Sequence, residues 1–117
     1  MEIHYKNKRI EKLFTEPKYA IKELSKDIAL KVYLRKDQIE ATDSLEVMIE
    51  GKIGRCHPLH YDFEGAFGLD IKDQVRLIIQ PDVEQGCKDY NKRIKCKSVI
   101  IIGVVDYHGQ KNEWIFR

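Results

Sequence analysis

The spacing of apolar residues changes once along this chain, near Gly54, and that change limits the folds open to it. Upstream, apolar residues recur at three- and four-residue intervals, the period of a helix. Ile10, Leu13 and Phe14 form a first such group, and Pro17 punctuates it. Ile21, Leu24, Ile28, Val32 and Ile39 then form one stripe, with Lys and Glu on the opposite side. The two groups predict a helical hairpin whose apolar side needs a cover, most simply a sheet. In "DSLEVMIEG" a short further helix is predicted, with Asp43 as N-cap, Glu46 completing a capping box and Gly51 as the stop. Downstream of Gly54 the period is two. Strands are predicted over "RCHPLHYD", "AFGLDI" and "VRLIIQP", with a turn at Asp73–Gln74 and an end at Pro81. "EIHY" near the start adds a short first strand. A polar insertion covers 82–97, and "SVIIIGVVDYH" closes the series as a strand apolar on both sides, which suits a central position. The expected architecture is α+β: an N-terminal helical hairpin packed on a twisted antiparallel sheet of four to five strands, with residues 1–117 as one domain.

A chain of 117 residues is long enough to bury a core without disulfides or metal. No apolar stretch follows the basic start, so no signal peptide is expected, and the run Val99–Val105 is too short to span a bilayer. Three cysteines, Cys56, Cys87 and Cys96, in a Lys-rich chain suggest free thiols in a reducing cytoplasm. The net charge of +2 says little, whereas its distribution says more. Residues 1–35 hold nine Lys/Arg against five Asp/Glu, residues 36–50 one against five, and "CKDYNKRIKCK" five against one. That last cluster suits a polyanion surface or a solvated loop equally well.

The informative residues are polar ones within strands: His57, His60, Arg76, Tyr107 and His108. Strand interiors favour β-branched and aromatic side chains, so ionisable groups there face solvent or serve a purpose. Imidazoles exchange protons near neutrality, and a guanidinium grips phosphate or carboxylate bidentately. That set suits metal-free RNA cleavage better than glycoside hydrolysis. Bland readings stand beside it. Each histidine can be an ordinary surface residue, Arg76 can pair with Asp62 or Asp73, and Tyr107 can cap the core. Cys56, His57 and His60 lack a second Cys/His pair at zinc-finger spacing. In a regular strand His57 and His60 face opposite ways, as do Tyr107 and His108, so convergence requires a bend near Pro58 or a strand end after Tyr107.

"CHPLHYDFEGAFGLDIKDQVRLII" resembles the central signature of the RelE/ParE superfamily of bacterial type II toxins, in its HigB (plasmid-maintenance killer) branch. Three separated places carry the resemblance: "HPL" at His57–Leu59 with Asp62 and Gly65, "VRLI" at Val75–Ile78, and "DYHG" at Asp106–Gly109. "HYKNKRIEKLF" also fits the family's opening. The resemblance implies a RelE-like fold and an endoribonuclease that cuts messenger RNA in the ribosomal A site, with no cofactor and no metal. It implies a cognate antitoxin, in this branch usually a helix-turn-helix DNA-binding protein, and no membrane association. Carried over by position, His57 and His108 match proton-transfer histidines, Arg76 the arginine that neutralises the scissile phosphate, and Tyr107 the tyrosine that positions or stacks on substrate. His60 joins this catalytic set. Arg55, Lys88, Lys92, Arg93, Lys95 and Lys97 are the expected RNA contacts.

Departures from the family pattern matter. His60 stands where a lysine is usual, Phe63 where an arginine is common, and Val75 where an aromatic usually precedes the arginine. Two fixed positive charges are missing, which weakens attraction for RNA. Lower activity or altered codon preference is expected. Two other classes compete: a ParE-like gyrase inhibitor, and a catalytically weakened module that only binds antitoxin.

Overall fold

The computed structural model describes residues 1–82, 90–108 and 111–117. The chain opens with β1 (Glu2–Tyr5) and continues through α1 (Lys8–Thr15), α2 (Pro17–Leu24), α3 (Lys26–Ala41) and α4 (Leu45–Glu50). Then come β2 (His57–Pro58), β3 (Phe67–Lys72), β4 (Val75–Pro81), α5 (Tyr90–Lys95), β5 (Ser98–His108) and β6 (Lys111–Phe116). The fold is α+β, as the change of period implies. Among the described residues no helix is long and apolar enough to cross a membrane.

Local chemistry explains the helix boundaries. Asn7 caps α1 by accepting a hydrogen bond from the Ile10 amide at 2.8 Å, and Pro17 sits in the first turn of α2, where its missing N–H costs nothing. The long stripe predicted from Ile21 to Ile39 is broken at Ser25 (φ 80°), whose hydroxyl caps α3. The expected hairpin is therefore three helices, and Ile21 is exposed. Tyr33 Oη donates to the Leu13 carbonyl at 2.7 Å and ties α3 back onto α1. The cap of α4 is Ser44 rather than Asp43, its hydroxyl accepting from the Val47 amide. Glu46, predicted to complete the cap, instead turns inward against Arg93 of α5.

The sheet is mixed, not antiparallel, and has six strands among the described residues, in the order β1-β5-β4-β3-β2 with β6 also on β5. The parallel pair is β1 with the first part of β5, Glu2 opposite Ser98 through Tyr5 opposite Ile101. The second part of β5, Val104–His108, pairs antiparallel with β6. One long central strand thus serves two short neighbours on the same edge while β4 takes the other. Gly103 (φ 154°) marks the changeover, where both ladders shift register. A Cβ there would lie 2.5 Å from the Phe116 carbonyl oxygen, so only glycine lets β6 approach.

Alternation sorts the strand residues onto two faces. Leu69, Leu77, Ile79, Val99, Ile101 and Val104 join the core against α1–α4. On the other face a small cluster of Ala66, Ile78 and Val105 is capped by Leu59, Phe63, Ile102 and Trp114, none of them in an α-helix. That helix-free face is where the polar strand residues emerge.

Candidate functional site

Register places the site before any side chain is considered. His57 of β2 lies opposite Gly68 of β3, Gly68 opposite Ile78 of β4, and Arg76 opposite Val105 of β5. Directly paired residues share a face, and so do residues two apart. His57, Asp70, Arg76, Ile78, Val105 and Tyr107 therefore all project from the helix-free face.

The strand predicted over "RCHPLHYD" is only two residues long, because Pro58 ends the ladder and a single turn of 3₁₀-helix follows at Tyr61–Phe63. That early end resolves the difficulty of His57 and His60 facing opposite ways, since the chain folds back over the sheet. The Leu59 amide donates to the Ala66 carbonyl at 2.9 Å, closing the loop, and Leu59 covers Gly68 so tightly that a Cβ there would meet it at 3.2 Å. Phe63 lands edge-on against Trp114, ring centroids 5.4 Å apart. Under this flap lies a cleft of about 670 Å³ lined by His57, His60, Phe63, Arg76, Ile78 and Tyr107, among others. The Ile78 and Val105 floor is apolar, and the polar groups stand around it.

Arg76 is the most enclosed charge of the cleft, its side chain 18 % exposed. Its guanidinium carbon sits 4.6 Å from the centre of the Tyr107 ring. Its Nε lies 3.5 Å from Asp70 Oδ1, close enough for charge attraction, yet this buried N–H makes no hydrogen bond among the described residues. Arg55 closes on the same carboxylate as a fork, Nε donating to Oδ2 at 2.7 Å and a terminal nitrogen to Oδ1 at 3.2 Å. The Asp70 hydrogen bond, then its charge, push the Arg55 pKa up. Sequence reading offered Asp62 or Asp73 as partner of Arg76; the partner is Asp70. Arg35 reaches the Asp70 main chain, Nε donating to the carbonyl at 2.8 Å. It passes over Gly54, whose Cβ would stand 2.9 Å from that nitrogen. His57 Nδ1 lies 2.7 Å from the Arg55 carbonyl oxygen, which fixes the ring at the cleft wall.

Of the expected residues, His57, His60, Arg76 and Tyr107 come together in the cleft. His108 is the last residue of β5 and is described in its backbone alone. The basic cluster is placed otherwise. Lys92, Arg93 and Lys95 belong to α5, and Lys97 precedes β5, at the opposite end of that strand from Tyr107. An extended strand rises about 3.3 Å per residue, which puts Lys97 roughly 30 Å from the cleft. Arg93 is also committed elsewhere, its Nε 2.5 Å from a carboxylate oxygen of the buried Glu46. Lys88 and Cys87 lie outside the described residues. Arg55 reaches the cleft's Arg76 through the carboxylate that both engage, that of Asp70.

Cys56 turns away from its neighbour His57 into the helix-side core, and burial pushes its thiol up to about 12. Among the described residues no group of three or more His, Cys, Asp or Glu is placed to hold a metal ion. No protein-family model, curated protein or solved structure matches this chain.

Sequence reading missed Asp70 and the pairing of Phe63 with Trp114. The Asp73–Gln74 turn would put Ile71 opposite Arg76 in a regular hairpin, but the register shift between Asp70 and Lys72 substitutes Asp70. An unseen one-residue bulge hid the ion pair.

Proposed function

We propose that this chain is the toxin of a type II toxin–antitoxin pair, of RelE/HigB type, an endoribonuclease acting on messenger RNA at the ribosome. The observation that carries the reading is the meeting of two imidazoles, a guanidinium and a phenol around one cleft on the helix-free face of the sheet. The reaction is attack of a ribose 2′-hydroxyl on the adjacent phosphate, which expels the 5′-oxygen of the next nucleotide and leaves a cyclic phosphate. His57 makes one proton transfer, since imidazole exchanges protons near neutrality, while His60, where the family pattern carries a lysine, faces the same phosphate. Arg76, always charged, meets the negative charge that grows on the phosphoryl oxygens. Tyr107, held under Arg76, positions the nucleotide. His108 is assigned the second proton transfer on the strength of the family resemblance. The antitoxin is a helix-turn-helix protein, and the site of action is the cytoplasm.

A second reading, a catalytically weakened antitoxin-binding module, is favoured by one observation: Asp70 already engages Arg76 and Arg55. Cell-free translation with primer extension separates the two. Codon-periodic cuts by the wild type, absent with Arg76→Ala, support the nuclease. An intact messenger with folded wild-type protein overturns it and leaves the binding module, while poisoned supercoiling would point to gyrase.

A further inference from the structure

We propose that Asp70 is a built-in competitor for RNA phosphate, its carboxylate occupying a two-arginine anion site formed by Arg55 and Arg76. The inference rests on reading the cleft as an RNA site, and it names both a second phosphate ligand and an autoinhibitory group.

Geometry carries the argument. A carboxylate presents two oxygens sharing one negative charge, and a phosphodiester presents two non-bridging oxygens sharing the same charge. Here both Asp70 oxygens are taken by the Arg55 fork, at 2.7 Å and 3.2 Å, and Oδ1 also faces Arg76 Nε. Two guanidiniums from different elements thus converge on one small anion, the arrangement by which proteins grip phosphate. The anion present is an imperfect guest. At 3.5 Å it neutralises Arg76 without accepting a hydrogen bond from its buried Nε. A phosphate oxygen that moved closer would satisfy this donor, which is costly to leave unmade. Displacement is cheap on the Arg55 side, where the arginine side chain is 62 % exposed and the aspartate 33 % exposed, because exposed ion pairs contribute little. Asp70 itself has somewhere to stay, since its main chain is held independently by Arg35.

The consequence is a site whose affinity for RNA is held down by one internal charge. Asp70→Asn keeps the side chain's shape and removes that charge. Binding is read by fluorescence anisotropy of a short 2′-O-methyl RNA, which lacks the attacking hydroxyl and so reports affinity alone. Asp70→Asn is expected to bind about threefold to fivefold more tightly at low salt, the scale of one partly exposed ion pair. Its log affinity against log salt should steepen by about 0.7, one further phosphate contact on a single strand. Adding Arg55→Ala to Asp70→Asn should abolish the gain. Equal or weaker binding by a folded Asp70→Asn would overturn the proposal, since Asp70 would then only brace the arginines. A measurement without substitution guards against a variant that does not fold. Titrating the wild type with inorganic phosphate should shift the Nε–H resonances of both Arg55 and Arg76, and unmoved resonances would equally overturn it. The two readings fail separately. Messenger cleavage by the wild type with no gain for Asp70→Asn removes the competitor and leaves the nuclease. A gain in binding with no cleavage by either protein keeps the competitor and removes the nuclease.

Discussion

Leu77 and Arg76 are consecutive residues of β4, yet they belong to different halves of the molecule's physics. Leu77 is wholly buried against the helices, in a core that also takes Ile10, Leu13, Val32 and Ile39. Arg76 points the other way, into a cleft whose floor is little more than Ile78 and Val105. The same contrast recurs at Cys56 and His57, one buried in the helix-side core and one on the cleft wall. Two-residue alternation makes this possible, because each strand can dedicate one face to burial and leave the other for charge. The buried core and the charged cleft are thereby separated by the thickness of a single sheet, and neighbouring substitutions should report on one without the other.

The largest effect is expected on the helix side. Leu77→Ala should cost about 2–5 kcal/mol of unfolding free energy, the range for emptying a buried leucine site, read by urea denaturation. Its neighbour should behave in the opposite way. If the cleft cuts messenger as proposed, Arg76→Ala is expected to lower cleavage about 10²- to 10³-fold, as removal of a charge aimed at a developing oxyanion does, while costing less stability than Leu77→Ala, since Asp70 keeps its Arg55 partner. If Arg76→Ala unfolds the protein as Leu77→Ala does, the two faces are not separable and the comparison breaks.

The flap offers a finer test, since Phe63 gives the cleft face the little apolar packing it has. Phe63→Ala should cost about 1–2 kcal/mol, combining the lost Trp114 edge contact with partial exposure of the small cluster. Phe63→Arg, which adds a charge that the family pattern carries, should lose the same packing, so its cleavage reports a charge gain and a looser flap together. His60 is free of that conflict, its side chain 72 % exposed. His60→Lys is expected to leave the urea midpoint unchanged and to raise cleavage severalfold at low salt, the gain fading as salt rises. Cleavage unaffected by His60→Lys would show that the missing lysine does not limit activity.

How much of this was legible in the residues follows from what range of interaction decided each feature. The inward face of β3 was readable because alternation is local, Phe67, Leu69 and Ile71 all joining the core, and the α+β class followed from the change of period. The helix break at Ser25 was hidden because an apolar stripe carries on smoothly across it, while the backbone turns at a single positive φ. The parallel pairing of β1 with β5 joins residues almost a hundred positions apart, and no local pattern encodes such a contact. The sixth strand, Lys111–Phe116, reads as polar followed by aromatic and shows no clean alternation, in part because register shifts beside Val104 and Val105. At the site, His57, His60, Arg76 and Tyr107 were legible as out-of-place strand residues. Asp70 was not, because a bulge decided its partner. The position of the basic cluster was hidden for a related reason: charge composition says how many lysines there are, not that Lys92, Lys95 and Lys97 stand before β5, at the far end of that strand from Tyr107.

The smallest effect compares Cys56 with His57 through pH. Burial raises the Cys56 thiol from its ordinary value of 9.0 to about 12 in the folded chain. The group is an acid whose neutral form is favoured by folding, so between those values the unfolded chain has lost a proton that the folded chain keeps. Unfolding therefore binds fewer protons, and stability falls as pH rises through this window. The contribution is fully present below pH 9 and amounts to about 1 kcal/mol of lost stability by pH 10, at 1.36 kcal/mol for each unit of difference. Cys56→Ala should flatten that part of the stability curve, against its own lower baseline from lost packing. His57→Ala, on the other face, should leave the slope above pH 9 as in the wild type. Urea melts at pH 7, 9 and 10 measure both. A wild-type slope surviving in Cys56→Ala would mean that some other group carries it, and Cys56 would no longer mark the dry side of the sheet.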